Sequence, residues 1–298
     1  MIRLLALLGV LSISFAAIFV RLSGVSPVTA AFFRGLYAIP LLLVMWWVTR
    51  AADGRSIGAR LLAAGSGVLL ALDLALWHGS IARIGAGLAT VIIGVQVVFV
   101  GGVAWGVHRE RPSGVALAMI PVVLVGLVLV SGLGRADAYG EDPVAGVTLA
   151  VAAAACYAGF QLVFRRSNRA LAAPSGPVLD ATIGMTIGAW LLAAPFDPRF
   201  SLAVTWPAHG WLLATATLCQ AIGWLLIGAA LPRLPALESS VILLSQPLGT
   251  VTWGWLVLGE RMSWIQAAGM AVVMAGLAVL VLKGMVRGAD PAAVRPAP

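Results

Sequence analysis

Apolar residues in this chain run in blocks, and short stretches of Gly, Pro, Arg and Asp separate them. A block of about 20 residues, wound at 1.5 Å per residue, covers the ~30 Å hydrocarbon core of a bilayer. The pattern predicts ten helical spans, at 4–22, 28–48, 61–80, 85–107, 114–133, 144–164, 177–196, 209–231, 236–258 and 263–282. A transmembrane β-barrel would instead show short alternating segments. The opening Met1-Ile2-Arg3 resembles the start of a signal peptide. Its apolar run reaches Leu22 in the style of the later blocks, so it reads as a retained first helix. Residues 283–298, rich in Ala and Pro, read as a disordered cytoplasmic tail.

A longer period lies beneath the first. Arg83, Gln96, Trp105, Glu110, Arg111 and Gly126 recur as Arg233, Gln246, Trp255, Glu260, Arg261 and Gly276, each pair 150 positions apart. Apolar matches would arise by chance in so greasy a chain, but a Gln, a Trp and a Glu-Arg pair in register would not. The fold class that follows is an all-α polytopic membrane protein built as two five-helix repeats, residues 1–133 and 144–282. Five is odd, so the second copy enters the membrane from the opposite face. Inverted-topology repeats place a transport site between the halves near the midplane and give alternating access.

Composition agrees: 61% of the residues are hydrophobic and 10% charged, against about 25% charged in soluble domains. The net charge of +8 would suggest nucleic acid in a soluble protein. Here the basic residues sit singly in short loops and read as a topology signal, with no nucleic-acid partner. With the N-terminus in the cytoplasm, thirteen of the 19 Lys and Arg residues, Arg50, Arg55, Arg60, Arg233 and Lys283 among them, fall on the cytoplasmic side. Arg21, Arg83, Arg135, Arg199 and Arg261 fall outside, and Arg34 lies within span 2. Both termini are thus expected in the cytoplasm, in a bacterial inner membrane.

Polar groups at membrane depth are costly and mark function by default, with interhelical bonding as the competing explanation. Gln96 and Gln246 lie near the middle of spans 4 and 9, related by the repeat. Their amides both donate and accept, which suits the ammonium and carboxylate of a zwitterion or, equally, pseudosymmetric packing. Ser239, Thr250 and Trp253 share a helical face with Gln246. Asp73, deep in span 3, is read as a partner for a substrate amine, a proton carrier or half of a structural pair. Trp77 and His78 follow one turn later, the histidine as a proton relay or a packing group. Tyr157 and Gln161 in span 6, and Gln220 and Trp224 in span 8, are pairs one turn apart. Trp46, Trp47, Trp206, Trp211 and Trp264 lie at span ends and suit an interfacial belt. Arg34 is read as snorkelling outward. The spacings Gly102-xxx-Gly106 and Gly184-xxx-Gly188 permit close helix contacts.

These features resemble the drug/metabolite transporter superfamily, specifically its EamA-type ten-helix permeases. The likeness is carried by PVTAAFFR at Pro27 to Arg34, by Ala71 to His78 in span 3, by the passage from span 3 into span 4, and by Gly259-Glu260-Arg261 closing span 9. It implies a cavity lined by spans 1, 3, 4, 6, 8 and 9 with spans 5 and 10 at the periphery. It also implies export of amino acids or related small metabolites, closest to exporters of the YddG type. Family members carry a Pro in spans 4 and 9. Pro247 fits, whereas Val97 stands at the equivalent place, which removes the proline argument for a hinge in span 4.

No GxxxxGK[ST] loop, HExxH or cysteine cluster is present, so neither an ATPase nor a cofactor or metal is expected. Cys156 and Cys219 fall inside spans and read as small buried residues. The expected partners are a small-molecule substrate and the lipid bilayer, with proton coupling open and the protein a monomer or weak homo-oligomer. An exporter of cationic drugs, with Asp73 as the cation's partner, is the alternative. An intramembrane enzyme is a remote one, since His78, His108 and His209 sit on unrelated spans.

Overall fold

The computed structural model describes residues 2–96, 98–99, 102–103, 114–131, 140–167, 173–230 and 236–288. Val97, Trp105, Glu110, Arg111, Arg233 and the Ser239 side chain lie outside the described residues. Among the described residues the structure is helical, with no strand. Its helices are α1 (Ile2–Ser14), α2 (Ala16–Ser23), α3 (Pro27–Thr49), α4 (Ile57–Ile93), α5 (Gly114–Ser131), α6 (Pro143–Ser167), α7 (Ser175–Gly188), α8 (Ala208–Ala214), α9 (Trp224–Ala230), α10 (Ala236–Leu258) and α11 (Trp264–Gly288). Two π-helical stretches, Ala189–Ala193 and Thr215–Gly223, extend α7 and join α8 to α9. Six helical stretches among the described residues are long and apolar enough to cross a membrane: Leu4–Ser23, Pro27–Ala52, Ile57–Ile93, Pro143–Phe164, Ser175–Phe196 and Ala208–Ala230.

The helix starts follow local chemistry. Ser26 and Ser56 cap α3 and α4, accepting from the backbone N–H of Thr29 and Ala59, which satisfies donors a helix start leaves free. Pro27 occupies the first turn of α3, where its missing N–H costs nothing.

Three departures from the expected spans have physical causes. The gap expected between spans 3 and 4 is absent, because α4 continues through Ile81 to Ile84 and turns only at Gly85, with φ 80° and ψ 168°. A side chain would strain that backbone. Backbone left unpaired at a bilayer is costly, so the helix extends to the last residue that can bond. Span 1 breaks at Phe15, between α1 and α2. Residues 283–288, expected in a disordered tail, are helical, since α11 runs to Gly288, and residues 289–298 lie outside the described residues.

Packing uses small residues. α4 lies along α6 and α7, and α5 and α11 pack chiefly on each other. A Cβ at Gly184 would strike the Ala64 carbonyl and one at Gly67 the Ala181 carbonyl, so α4 and α7 meet backbone to backbone. The sequence spacing at Gly184 and Gly188 thus marks a helix contact. Gly126 on α5 faces Gly269 and Val273 of α11 in the same manner. Of the five tryptophans expected in a belt, Trp47, Trp206 and Trp264 are exposed, whereas Trp46 donates to Asp53 Oδ2 at 3.0 Å and Trp211 stacks on Phe19 at 5.7 Å.

One end of the bundle is tied by ions. Arg55 Nε donates to Asp53 Oδ1 at 2.7 Å, and its Nη2 lies 2.8 Å from Asp180 Oδ2 on α7. Arg60 reaches the same Asp180 at 3.3 Å. The Arg55 guanidinium, with help from the Trp46 indole, holds the Asp53 carboxyl down at about 2. A depressed carboxylate stabilises the fold fully above its ordinary value near 3.8, and that contribution is lost as pH falls toward 2. Melting curves of the wild type and Asp53→Asn in detergent are therefore expected to keep a constant separation from about pH 5 to 8 and to converge below about pH 4. A separation that vanishes already at pH 6 would contradict this.

Candidate functional site

Arg34 lies two turns into α3 and is 4% exposed. It does not snorkel. Its Nε donates to Gln220 Oε1 at 2.8 Å, and Gln220 Nε2 donates onward to Thr182 Oγ1 at 3.1 Å. The amide is used on both sides, its oxygen accepting and its nitrogen donating. Gln220 stands on the π-helical stretch Thr215–Gly223; π-bulges re-aim side chains and recur at functional sites. The relay joins α3, α7 and the π-helical stretch between α8 and α9 at the core.

Asp73 faces this relay from α4, 5% exposed. Arg34, Asp73 and Tyr157 lie within electrostatic reach of one another, and Tyr157 interacts with the Gln161 amide one turn on. Arg34 Nη1 and Asp73 Oδ1 are nevertheless both buried without any hydrogen-bond partner. Cys219 lies near Arg34 and Cys156 near Asp73; Cys219 Sγ also donates to Ser12 O at 3.0 Å.

Aromatic rings wall this group. Phe160 stacks on Tyr157 at 5.8 Å and meets Trp224 edge-on at 5.9 Å. Trp77 and His78 lie 5.4 Å apart on α4. His78 Nδ1 lies 3.1 Å from Pro27 O. A carbonyl only accepts, so Nδ1 carries the proton. That leaves Nε2, which like Trp77 Nε1 is buried with no partner.

The break in span 1 explains the polar face of span 9. Thr250 Oγ1 donates to Ser14 O at 3.0 Å, and Trp253 Nε1 to Ser14 Oγ at 3.0 Å. Groups freed where α1 ends are met by α10, and Trp253 stacks on Phe15 at 4.6 Å. Span 4 is interrupted as well, although it lacks the proline. Gly94 and Val95 bond back only three residues, to Val91 O at 3.1 Å and Ile92 O at 2.9 Å. Gln96 follows that tightened turn, its Oε1 buried and unpartnered. α10, by contrast, runs through Pro247. Gln246 is half-buried, and no hydrogen bond from it reaches the Gln96 oxygen. An apolar pocket between α1 and α10, lined by Leu4, Leu7, Leu8, Leu11, Ser14 and Gly249, offers a polar solute no charged partner.

The structure thus brings Asp73, Tyr157, Gln161, Gln220 and the Trp224 wall around one centre, and sets Thr250 and Trp253 in a second contact with span 1. Sequence reasoning missed Arg34 and Thr182. The available signal was that Arg34 is the one basic residue well inside a span and Asp73 the one acid deep within another. His209 is structural: Nε2 donates to Ala203 O at 3.0 Å, which leaves Nδ1 to accept from the Tyr37 hydroxyl at 2.7 Å. Among the described residues no group of His, Cys, Asp or Glu is arranged to hold a metal.

Long apolar helices around a small set of buried charges and amides define a multi-pass membrane protein. The chain belongs to the EamA-like transporter family, which it matches over residues 1–132 and 144–282. It is similar to YwfM of Bacillus subtilis (strain 168), described as an uncharacterized transporter, at 25% identity over 86% of this chain and 84% of that protein. YcbK of the same organism, also described as an uncharacterized transporter, is 24% identical over 83% of this chain and 80% of its own. A solved crystal structure shares the fold over 97% of this chain and 98% of its own, with a TM-score of 0.64 and 15% identity.

Proposed function

We propose that the protein is a secondary transporter that exports amino acids or related small metabolites across a bacterial inner membrane by alternating access. In this reading it has ten spans in two inverted repeats, 1–133 and 144–282, with both termini in the cytoplasm. The observation that carries the reading is that Arg34 Nη1, Asp73 Oδ1, Trp77 Nε1, His78 Nε2 and Gln96 Oε1, all within the spans, are among the buried polar atoms without partners. Leaving a buried donor or acceptor unmet costs about 1–3 kcal/mol, more for a charged group. A purely structural core removes such groups or pairs them. A core that receives a polar solute keeps them, because the solute supplies the bonds. The interrupted backbone at Phe15 and at Gly94–Val95 adds to this, since broken helices beside a cavity are a feature of transporters.

The test is counterflow in proteoliposomes with a panel of labelled amino acids, run with and without a pH gradient. Flux of at least one amino acid is expected, and acceleration by the gradient would identify protons as the coupling ion. Flux of an organic cation together with no flux of any amino acid would overturn the reading in favour of a cation exporter.

A further inference from the structure

We infer that the solute is bound as a zwitterion, its carboxylate on Arg34 and its ammonium on Asp73. The inference rests on the transport reading above and adds the residue that selects the substrate's charge pattern. A guanidinium carries five N–H donors in a rigid fork. In Arg34 the Nε is pinned by Gln220 Oε1 at 2.8 Å, which fixes the plane of the fork, while the buried Nη1 has no partner. A carboxylate is the natural counterpart of such a free edge. Asp73 can only accept while ionised. Its Oδ1 is buried and unpartnered, and the opposite charge it senses is Arg34. Each lies within electrostatic reach of the other, and the ion pairs among the described residues include none between them. A free donor on Arg34 and a free acceptor on Asp73 are the two partners that a molecule with one charge of each sign requires.

Charge counting separates the solute classes. Arg34 and Asp73 sum to zero. A bound cation would leave the buried site at +1 and a bound anion at −1, and uncompensated charge in a low-dielectric core is strongly disfavoured. A zwitterion leaves the sum at zero. The Phe160–Trp224 wall beside Tyr157 presents the apolar surface that the solute's side chain would lie against. Gln220 is a positioning residue, holding Arg34 through Nε and leaning on Thr182.

The experiment takes the amino acid that gives the strongest counterflow in the wild type. It measures competition by that compound's carboxamide, its decarboxylated amine and its N-acetyl derivative. Each is expected to compete at least about ten-fold more weakly than the parent, the size of one lost charge-assisted hydrogen bond. Arg34→Gln is expected to abolish the preference for the parent over the carboxamide while keeping the preference over the N-acetyl derivative. Asp73→Asn is expected to do the reverse. A structural role for either residue would lower all fluxes together and leave both ratios unchanged. Where a variant fails to reach the membrane, the wild-type series decides: equal competition by parent, carboxamide and amine overturns the inference. Absence of flux for every amino acid would instead overturn the transport reading.

Discussion

Asp73→Asn and Arg34→Gln are each expected to cost about 3 kcal/mol of stability, and the double variant much less than their sum. Both groups are buried, at 5% and 4% exposure, and each senses the other's charge. Removing one partner of a buried pair leaves an uncompensated charge, which typically costs about 3–5 kcal/mol, whereas replacing both with neutral groups is often tolerated. The coupling between the two changes is expected at about 1–3 kcal/mol, read from thermal unfolding of the four proteins in detergent. Strictly additive losses would show that each charge is compensated elsewhere. Flux of the parent amino acid is expected to stay low in the double variant although its stability recovers, so stability and transport separate there. That separation distinguishes a substrate site from an internal ion pair kept for folding.

Glu260→Ala is expected to lose about 3 kcal/mol and Glu260→Gln about 1 kcal/mol. The reason lies at Gly85. Where α4 turns, the chain beyond it begins a new helix with unpaired N–H groups. Glu260, 7% exposed, takes two of them: Ala86 N donates to its Oε1 at 2.7 Å and Gly87 N to its Oε2 at 3.1 Å. The negative charge also faces the positive end of the helix dipole. Gly254 admits the carboxylate, since a Cβ there would stand 2.6 Å from Oε2. Glutamine keeps one acceptor and loses the charge; alanine leaves both donors bare. Equal losses for the two variants, measured as melting temperature, would refute the capping role.

The hydropathy pattern located the helices closely because their length is set by the bilayer: span 9, expected at 236–258, is Ala236–Leu258, and span 6, expected at 144–164, is Pro143–Ser167. It did not foresee the breaks at Phe15 and Gly94–Val95, which have no proline beneath them. The break at Phe15 is stabilised by Thr250 and Trp253, 236 and 239 positions from Ser14, and no local pattern reports such partners. Arg34 was misjudged for the same reason, since its partner Gln220 lies 186 positions away. Hydropathy registers that an arginine is costly in a span, not whether an amide stands ready to meet it. Asp73, Tyr157 and Gln220 were legible because each is an unusual residue at depth. Gln96 and Gln246 were singled out by the repeat alone, and equivalence in sequence is not a contact in space.

Spans 3 and 4 are joined by a single residue. A loop of several residues would let two helices slide past each other, each keeping its own course. Between Ile57 and Ile93 the helical geometry is interrupted only at Gly85, and Gly85 is a pivot, not a tether. Span 4 cannot slip along its neighbour at that junction, so the two arms are related by one angle, as in a crank. Asp73 rides on one arm, and Gln96 sits just past the end of the other. The relative placement of Asp73 and Gln96 is therefore set in large part by that single angle.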